Sequence, residues 1–260
     1  MKDILTEIVA NKRLEVERHK AQIPLSELIA ASRDLPAVRS ISVSLKNSPS
    51  GIIAEFKRRS PSKGWIKQEA DAGVIPASYA AAGASALSIL TDEDYFGGTL
   101  RDIEVARPMV DIPIIRKEFI VDEYQIYQAR LVGADAVLLI ASALSLEECH
   151  TLVDLSHAVG LEVLLELHSE SELEYIQPRV EMVGINNRNL GSFHTDVANS
   201  FRLAELLPEG VVRVSESGIS NPDTVSDLRE AGYRGFLIGE NFMRTQNPGE
   251  SLSEFIAKVR

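Results

Sequence analysis

Beyond residue 50 the chain alternates between two hydrophobic patterns. Short, nearly continuous apolar runs fall at 51–57, 86–90, 114–117, 136–140, 162–166, 182–186, 211–216 and 235–239. Runs of this kind suit parallel strands covered on both faces. Longer stretches with helical character lie between them. The segments 71–82, 123–131, 145–159 and 221–231 run into Gly83, Gly133, Gly160 and Gly232, and glycine past a helix end is a common terminator. Asn221-Pro222 reads as an N-cap followed by proline at the first helical position. The repeat of strand, loop and helix takes roughly 20 to 35 residues. Eight such units without a break in composition predict an α/β fold, a (β/α)8 TIM barrel. A doubly wound open sheet is the alternative, but no Gly-x-Gly-x-x-Gly follows the first strand.

The first 50 residues precede this repeat. Ile4, Leu5, Ile8 and Val9 form one apolar helical stripe, and a charged stretch follows from Lys12 to Lys20. Pro24 and Pro36 break the region into pieces. Two readings stand side by side: a cap over the barrel's N-terminal mouth, or a flap over an active site. The expected organisation is one barrel domain over 1–260, with residues 1–50 as a helical extension.

Composition narrows the function classes. A net charge of -11 argues against a nucleic-acid binder, although a local cluster of Lys and Arg still suits an anionic small molecule. The single cysteine, Cys149, leaves no internal disulfide and suits a reducing cytoplasm. Lys2, Asp3, Glu7, Lys12 and Arg13 argue against a signal peptide, and no apolar run is long enough to span a bilayer. A cytoplasmic protein without membrane or nucleic-acid partners is expected, with a monomer as the expected state.

In a barrel the chemistry sits where strands end and the following loops begin. On strand one, Ile53, Glu55 and Lys57 share a face, so a carboxylate and an ammonium ride together on an otherwise apolar strand. Burying such charges costs several kcal/mol unless they are paired or used. The next residues, Ser60-Pro61-Ser62-Lys63-Gly64, have the make-up of an anion-binding loop; a salt bridge closing the strand end is the plainer reading. Lys117 ends strand three, Glu166 strand five, Asn186 and Arg188 strand six, and Glu216 strand seven. A mouth lysine near carboxylates can act as an acid, because its pKa responds strongly to surroundings. Glu166 is either a general base or a lysine's partner. Arg188 could clamp a carboxylate. Phe96 and Phe119 either wall an aromatic pocket or belong to the core. The turns at Ser217-Gly218 and Gly239-Glu240 follow strands seven and eight, where barrels often bind phosphate through backbone N–H groups.

Other features read as structural. Cys149, His150 and His157 fall on a helix outside the barrel. His168 precedes Ser169-Glu170-Ser171-Glu172, a capping pattern. Arg58, Arg59 and Arg116 either orient the mouth or are solvated. No His, Cys or carboxylate cluster has metal-ligand spacing.

The ordered motifs 53–64 (IAEFKRRSPSKG), 87–98 (LSILTDEDYFGG), 114–122 (IIRKEFIVD), 162–168 (EVLLELH), 184–190 (GINNRNL), 214–219 (VSESGI) and 237–244 (LIGENFMR) resemble those of the indole-3-glycerol-phosphate synthase family. The leading stretch 4–16 resembles that family's N-terminal extension. The resemblance implies 1-(2-carboxyphenylamino)-1-deoxyribulose 5-phosphate as substrate, closed to indole-3-glycerol phosphate with loss of carbon dioxide and water, in tryptophan biosynthesis. It implies no metal and no organic cofactor. Lys117 matches the general acid, and Glu166 the base of the dehydration. Lys57 is a rival acid, and Glu55 the carboxylate that orients the ammonium groups. Asn186 and Arg188 match the holders of the substrate's carboxylate and hydroxyls, Glu216 touches the sugar chain, and Phe96 and Phe119 wall the ring. Ser60, Ser217, Gly218, Gly239 and Glu240 match the phosphate site. Some members carry serine at the position of Glu240, so its side chain is expected to turn away from phosphate. The chain ends soon after strand eight, so no fusion to the preceding isomerase is expected. A sister phosphate-binding barrel, or a barrel that binds a phosphometabolite without turnover, would leave Glu55, Lys57, Lys117 and Glu166 unexplained.

Overall fold

The apolar runs form eight parallel strands in a computed structural model that describes residues 4–189, 191 and 193–259. Leu190, the last residue of the 184–190 motif, lies outside them, as do the charged Lys2 and Asp3 of the expected N-terminal pattern. The strands are β1 (Ile52–Phe56), β2 (Ala86–Leu90), β3 (Ile114–Lys117), β4 (Ala136–Ile140), β5 (Glu162–Leu167), β6 (Met182–Asn186), β7 (Val212–Glu216) and β8 (Gly235–Ile238). Each pairs with its neighbour in sequence, and β8 pairs with β1, so the sheet closes into a barrel. This settles the choice between barrel and open sheet.

Alternation explains why the strands look apolar throughout. Ile53, Ile115, Leu164, Val214 and Leu237 pack inside the barrel. Ile52, Ala54, Phe56, Leu165 and Ile238 pack outward in a second core that includes helical residues such as Val153, Val225 and Leu228. Both faces of each strand are therefore dry.

The expected boundaries hold to within a residue or so, with one larger shift. The helix expected over 71–82 spans Ile75–Ala81. The side chain of Asp71 accepts the N–H of Gly73 at 2.7 Å, and this turn replaces the first helical turn. Asn221 does cap its helix, accepting the N–H of Asp223 at 3.0 Å. The polar stretch after β1 is an antiparallel ribbon, with Arg59 opposite Trp65 and Ser60 opposite Gly64.

Both readings of the first 50 residues apply, to different helices. These are α1 (Ile4–Gln22), α2 (Leu25–Ala31) and α3 (Ile41–Asn47). Helix α3 plugs the N-terminal end of the barrel: Ile41 and Leu45 are fully buried among the inward-facing residues. Glu162, at the start of β5, accepts the N–H groups of Ile41 and Ser42 at 2.8 and 2.9 Å. An acidic side chain at a helix N-terminus satisfies orphan donors there and complements the dipole. Helix α1 instead lies at the opposite mouth, where Ile4, Leu5 and Ile8 line the main cavity.

Candidate active site

One step of two residues toward the C-terminal mouth changes the inward layer from apolar to charged. Ile53 gives way to Glu55, Ile115 to Lys117, Leu164 to Glu166 and Val214 to Glu216. All four reach a cavity of about 350 Å³ at that mouth. Lys117 Nζ lies 3.3 Å from Glu166 Oε2 and 3.8 Å from Glu216 Oε2. Lys57 Nζ lies 2.5 Å from Glu55 Oε1. The three glutamates are at most 5% exposed.

Two glycines make room for them. A Cβ on Gly184 would collide with Glu216 Oε1, and a Cβ on Gly239 with Glu55 Oε1. The neighbouring strand thus supplies an empty position where each carboxyl group lies. Gly184→Ala is expected to displace Glu216 and, through it, Lys117. A displacement near 1 Å costs about 10²-fold in rate, and a kcat/KM measurement on the folded variant checks it.

Charge is divided unevenly across the cluster. Burial pulls the Lys117 ammonium down, but Glu166, Glu216 and Glu55 outweigh it and raise its pKa above the ordinary lysine value. Burial pushes Glu166 up, yet Lys117, His168 and a hydrogen bond from Asn186 bring it down to about 2. Burial also pushes Glu216 well above the usual carboxylate range, and here the charge of Glu166 adds to the shift. The surroundings therefore favour the ionised form of Glu166 and the protonated form of Glu216.

The β6 end links both sides of the mouth. Asn186 Nδ2 donates to Glu166 Oε1 at 3.0 Å, and its Oδ1 accepts the N–H of Arg188 at 3.0 Å. Arg188 Nη1 donates to Ser62 Oγ at 3.1 Å. Its Nη2 lies 3.9 Å from Glu240 Oε2, so the glutamate side chain turns toward the arginine across the mouth. Ser60 Oγ is buried against the cavity without a hydrogen-bond partner, as an anion-binding hydroxyl awaiting its acceptor would be. Ser217 and Gly218 both have left-handed backbone, φ 68° and 77°. This curls the loop after β7 around the cavity. Gly239 is the N-cap of the short helix Glu240–Met243, and its carbonyl accepts the N–H groups of Phe242 and Met243, both at 3.0 Å.

At the other side Phe96 and Phe119 meet at a ring-centroid distance of 5.9 Å and line the cavity. Both are held from behind by α1. Lys12 is fully buried, 3.0 Å from Asp92 Oδ2, 3.1 Å from Glu118 Oε1 and 2.9 Å from Glu15 Oε2. Asp92 accepts the N–H groups of Tyr95 and Phe96 at 2.7 and 3.2 Å, and Glu118 accepts that of Phe119 at 2.9 Å. One ammonium on α1 thereby joins both aromatic loops. Lys12→Met leaves buried carboxylates unpaired and is expected to cost about 3–5 kcal/mol of stability, read by urea denaturation, with a raised KM from the loosened aromatic wall.

Sequence reasoning assigned no role to Lys12, and it treated Asn187 only as part of a motif. Asn187 is buried; its amide donates to Ser215 Oγ and to the carbonyl of Ser217, both at 3.1 Å. It fixes the turn that follows β7. His168 is more than a neighbour of a capping box. The box forms between Ser169 and Glu172, but the imidazole turns back, with Nε2 3.3 Å from Glu166 Oε1. Arg58 and Arg116 orient the mouth: Arg58 holds Asp102 at 2.6 and 2.8 Å, and the buried Arg116 donates to Thr91 at 3.0 Å. Cys149 is buried on the outer helix Leu146–Ala158, and His157 on the same helix lies 3.0 Å from Glu181.

The profile of the Indole-3-glycerol phosphate synthase family matches residues 5–255. The chain belongs to this family. An indole-3-glycerol phosphate synthase from Bacteroides thetaiotaomicron is 63% identical over 260 residues, covering 100% of both chains. One from Chromobacterium violaceum is 42% identical over 258 residues, 97% of each chain. Among solved structures, the tryptophan synthase subunit alpha of Legionella pneumophila matches with a TM-score of 0.62 at 13% identity, over 84% of this chain and 96% of that one. Orotidine 5'-phosphate decarboxylase from Pyrococcus horikoshii matches at 0.57 and 14% identity, over 80% and 99%. Likeness at such identities speaks for the shared barrel alone. The indole-3-glycerol phosphate synthase family match runs through every strand that carries a charge into the mouth.

Proposed function

We propose that the chain converts 1-(2-carboxyphenylamino)-1-deoxyribulose 5-phosphate into indole-3-glycerol phosphate, carbon dioxide and water. The observation that carries this reading is the buried Lys117–Glu166–Glu216 cluster, set between an aromatic wall and an anion-binding rim, in a chain of this family. The ring packs against the wall formed by Phe96 and Phe119, and the phosphate reaches Ser60, Ser217, Gly218 and the backbone at Gly239–Glu240. Arg188 meets the carboxylate, releasing Glu240 as it does so. Holding ring and ketone together lowers the barrier by several kcal/mol.

The carboxyl-bearing ring carbon attacks the ketone, and Lys117 gives its proton to the ketone oxygen. Carbon dioxide then leaves from that ring carbon, and the electrons return to the ring. The hydroxyl then takes a second proton from Lys117, by that point an ammonium again, and departs as water, while Glu166 takes from the ring-closed intermediate a proton that afterwards returns to Lys117. The ionised state of Glu166 suits a base, and the protonated state of Lys117 suits an acid. As Lys117 loses its proton, the main charge that depresses Glu166 disappears, so the base strengthens when it is needed. Glu216, carrying its own proton, offers a hydroxyl donor to the sugar chain, and Glu55 fixes Lys57 beside it.

The reading includes a cytoplasmic reaction, which a phosphorylated substrate supports; among the described residues no helix is long and apolar enough to cross a membrane. Mixing the chain with the substrate tests the reading: indole fluorescence is expected to appear with one carbon dioxide per indole. A folded chain that produces neither contradicts it.

A further inference from the structure

The proposed reaction consumes a proton. The substrate bears a carboxylate and a phosphate, the product bears only the phosphate, and carbon dioxide and water leave neutral. Within the site, one proton goes to the ketone oxygen and a second leaves with the hydroxyl as water. Glu166 recovers only one. Each turnover therefore draws one proton from outside a cluster in which Glu166 and Glu216 are 1% exposed and the Lys117 side chain is 15% exposed, toward the cavity that the substrate occupies in the proposed reaction.

A row of acid–base groups leads from the surface to that cluster. The partly exposed Glu172 lies on the short turn after β5, with Oε2 3.9 Å from His168 Nδ1. His168 Nε2 lies 3.3 Å from Glu166 Oε1, and the other carboxylate oxygen lies 3.3 Å from Lys117 Nζ. Both imidazole nitrogens are shut off from solvent, and neither has an aligned hydrogen bond. A histidine kept for structure alone would be tied down through one of them. The ring also borders a second cavity, shared with Ser142, Asn199 and Arg202, that neither Lys117 nor Glu166 lines. His168 thus lines only the second cavity, which shares Leu5, Asn186 and Arg188 with the reacting one, and meets the carboxylate oxygen of Glu166 that Lys117 does not. Imidazole can accept a proton at one ring nitrogen and release one from the other, on opposite sides of the ring.

We propose that His168 is the proton entry of the site, acting through Glu166. After ring closure, while Glu166 is still ionised and Lys117 is neutral, the imidazolium N–H bond breaks at Nε2 and an O–H bond forms on Glu166. The carboxyl proton then passes to the neutral Lys117 amine, which becomes an ammonium again, and His168 takes its next proton from water by way of the Glu172 side. This rests on the roles proposed above for Lys117 and Glu166. It adds a residue that touches no reacting atom and restores the groups that do.

The test is steady-state turnover of His168→Gln and His168→Asn with free imidazole as the probe. Both variants are expected to keep the parent's melting temperature and KM, to lose about 10²-fold in kcat, and to regain part of it as imidazole is added. Glu172→Gln is expected to show a smaller loss of the same kind. A merely structural histidine gives no imidazole rescue. Parental kcat in either folded variant, or a loss that imidazole leaves untouched, overturns the proposal. If His168→Gln is silent while Glu166→Gln abolishes indole, the relay fails and the acid–base reading stands. If the parent yields no indole, the reading of the reaction fails first.

Discussion

Lys117→Met is expected to lower kcat by about 10² to 10⁴-fold, the range for loss of a positioned proton-transfer group, with little change in KM. Lys117 is the ammonium on the inward face of β3, between Glu166 at 3.3 Å and Glu216 at 3.8 Å. Its folded-state pKa is raised because these carboxylates favour the charged form more than burial opposes it. The sign has a consequence for pH dependence. A raised lysine stays protonated up to and beyond its ordinary 10.5, so kcat is expected to show no alkaline loss from Lys117 at lower pH. Lys117→Arg keeps the charge and is expected not to restore turnover, since a guanidinium does not release its proton. Steady-state kinetics of the three proteins over a pH series check all of this. Parental kcat in Lys117→Met would place the acid elsewhere, with Lys57 the nearest candidate.

Glu166→Gln is expected to produce a loss of similar size but a different residue of chemistry. The base acts after carbon dioxide has left, so the variant is expected to accumulate the ring-closed, decarboxylated alcohol and to make no indole. The amide keeps the shape and still meets Asn186, so KM is expected to change little. The pKa of about 2 in the folded protein also bears on stability. A depressed carboxylate contributes stability above its unfolded value near 4.3, and that contribution fades as pH falls toward 2. Acid titration of the parent is expected to lose stability in this window, and Glu166→Gln to lose less there. Rapid-quench sampling identifies the accumulated alcohol, and melting curves from pH 5 downward read the second effect.

Local pattern carried most of the fold. Continuous apolar runs announced strands covered on both faces, and glycines announced helix ends. Alternation put Glu55 and Lys57 on one face of strand one, and position at a strand end singled out Lys117, Glu166 and Glu216. Long-range partners were not legible. Lys12 sits in a charged stretch that looks solvated, and only the folded chain brings Asp92 and Glu118 around it. Glu162 looks like a strand residue until α3 sets its N-terminus against it. The contrast between an ionised Glu166 and a protonated Glu216 depends on mutual distance and burial, which no motif encodes. The turn of Glu240 toward Arg188 depends on two loops meeting across the mouth.

The most direct test follows carbon dioxide and indole in a single turnover of the parent, Lys117→Met and Glu166→Gln. The parent is expected to release one carbon dioxide for each indole. Glu166→Gln is expected to release carbon dioxide and stop short of indole, and Lys117→Met to release neither at a comparable rate. Carbon dioxide release at the parental rate from Lys117→Met, or indole at the parental rate from Glu166→Gln, contradicts the assignment of acid and base.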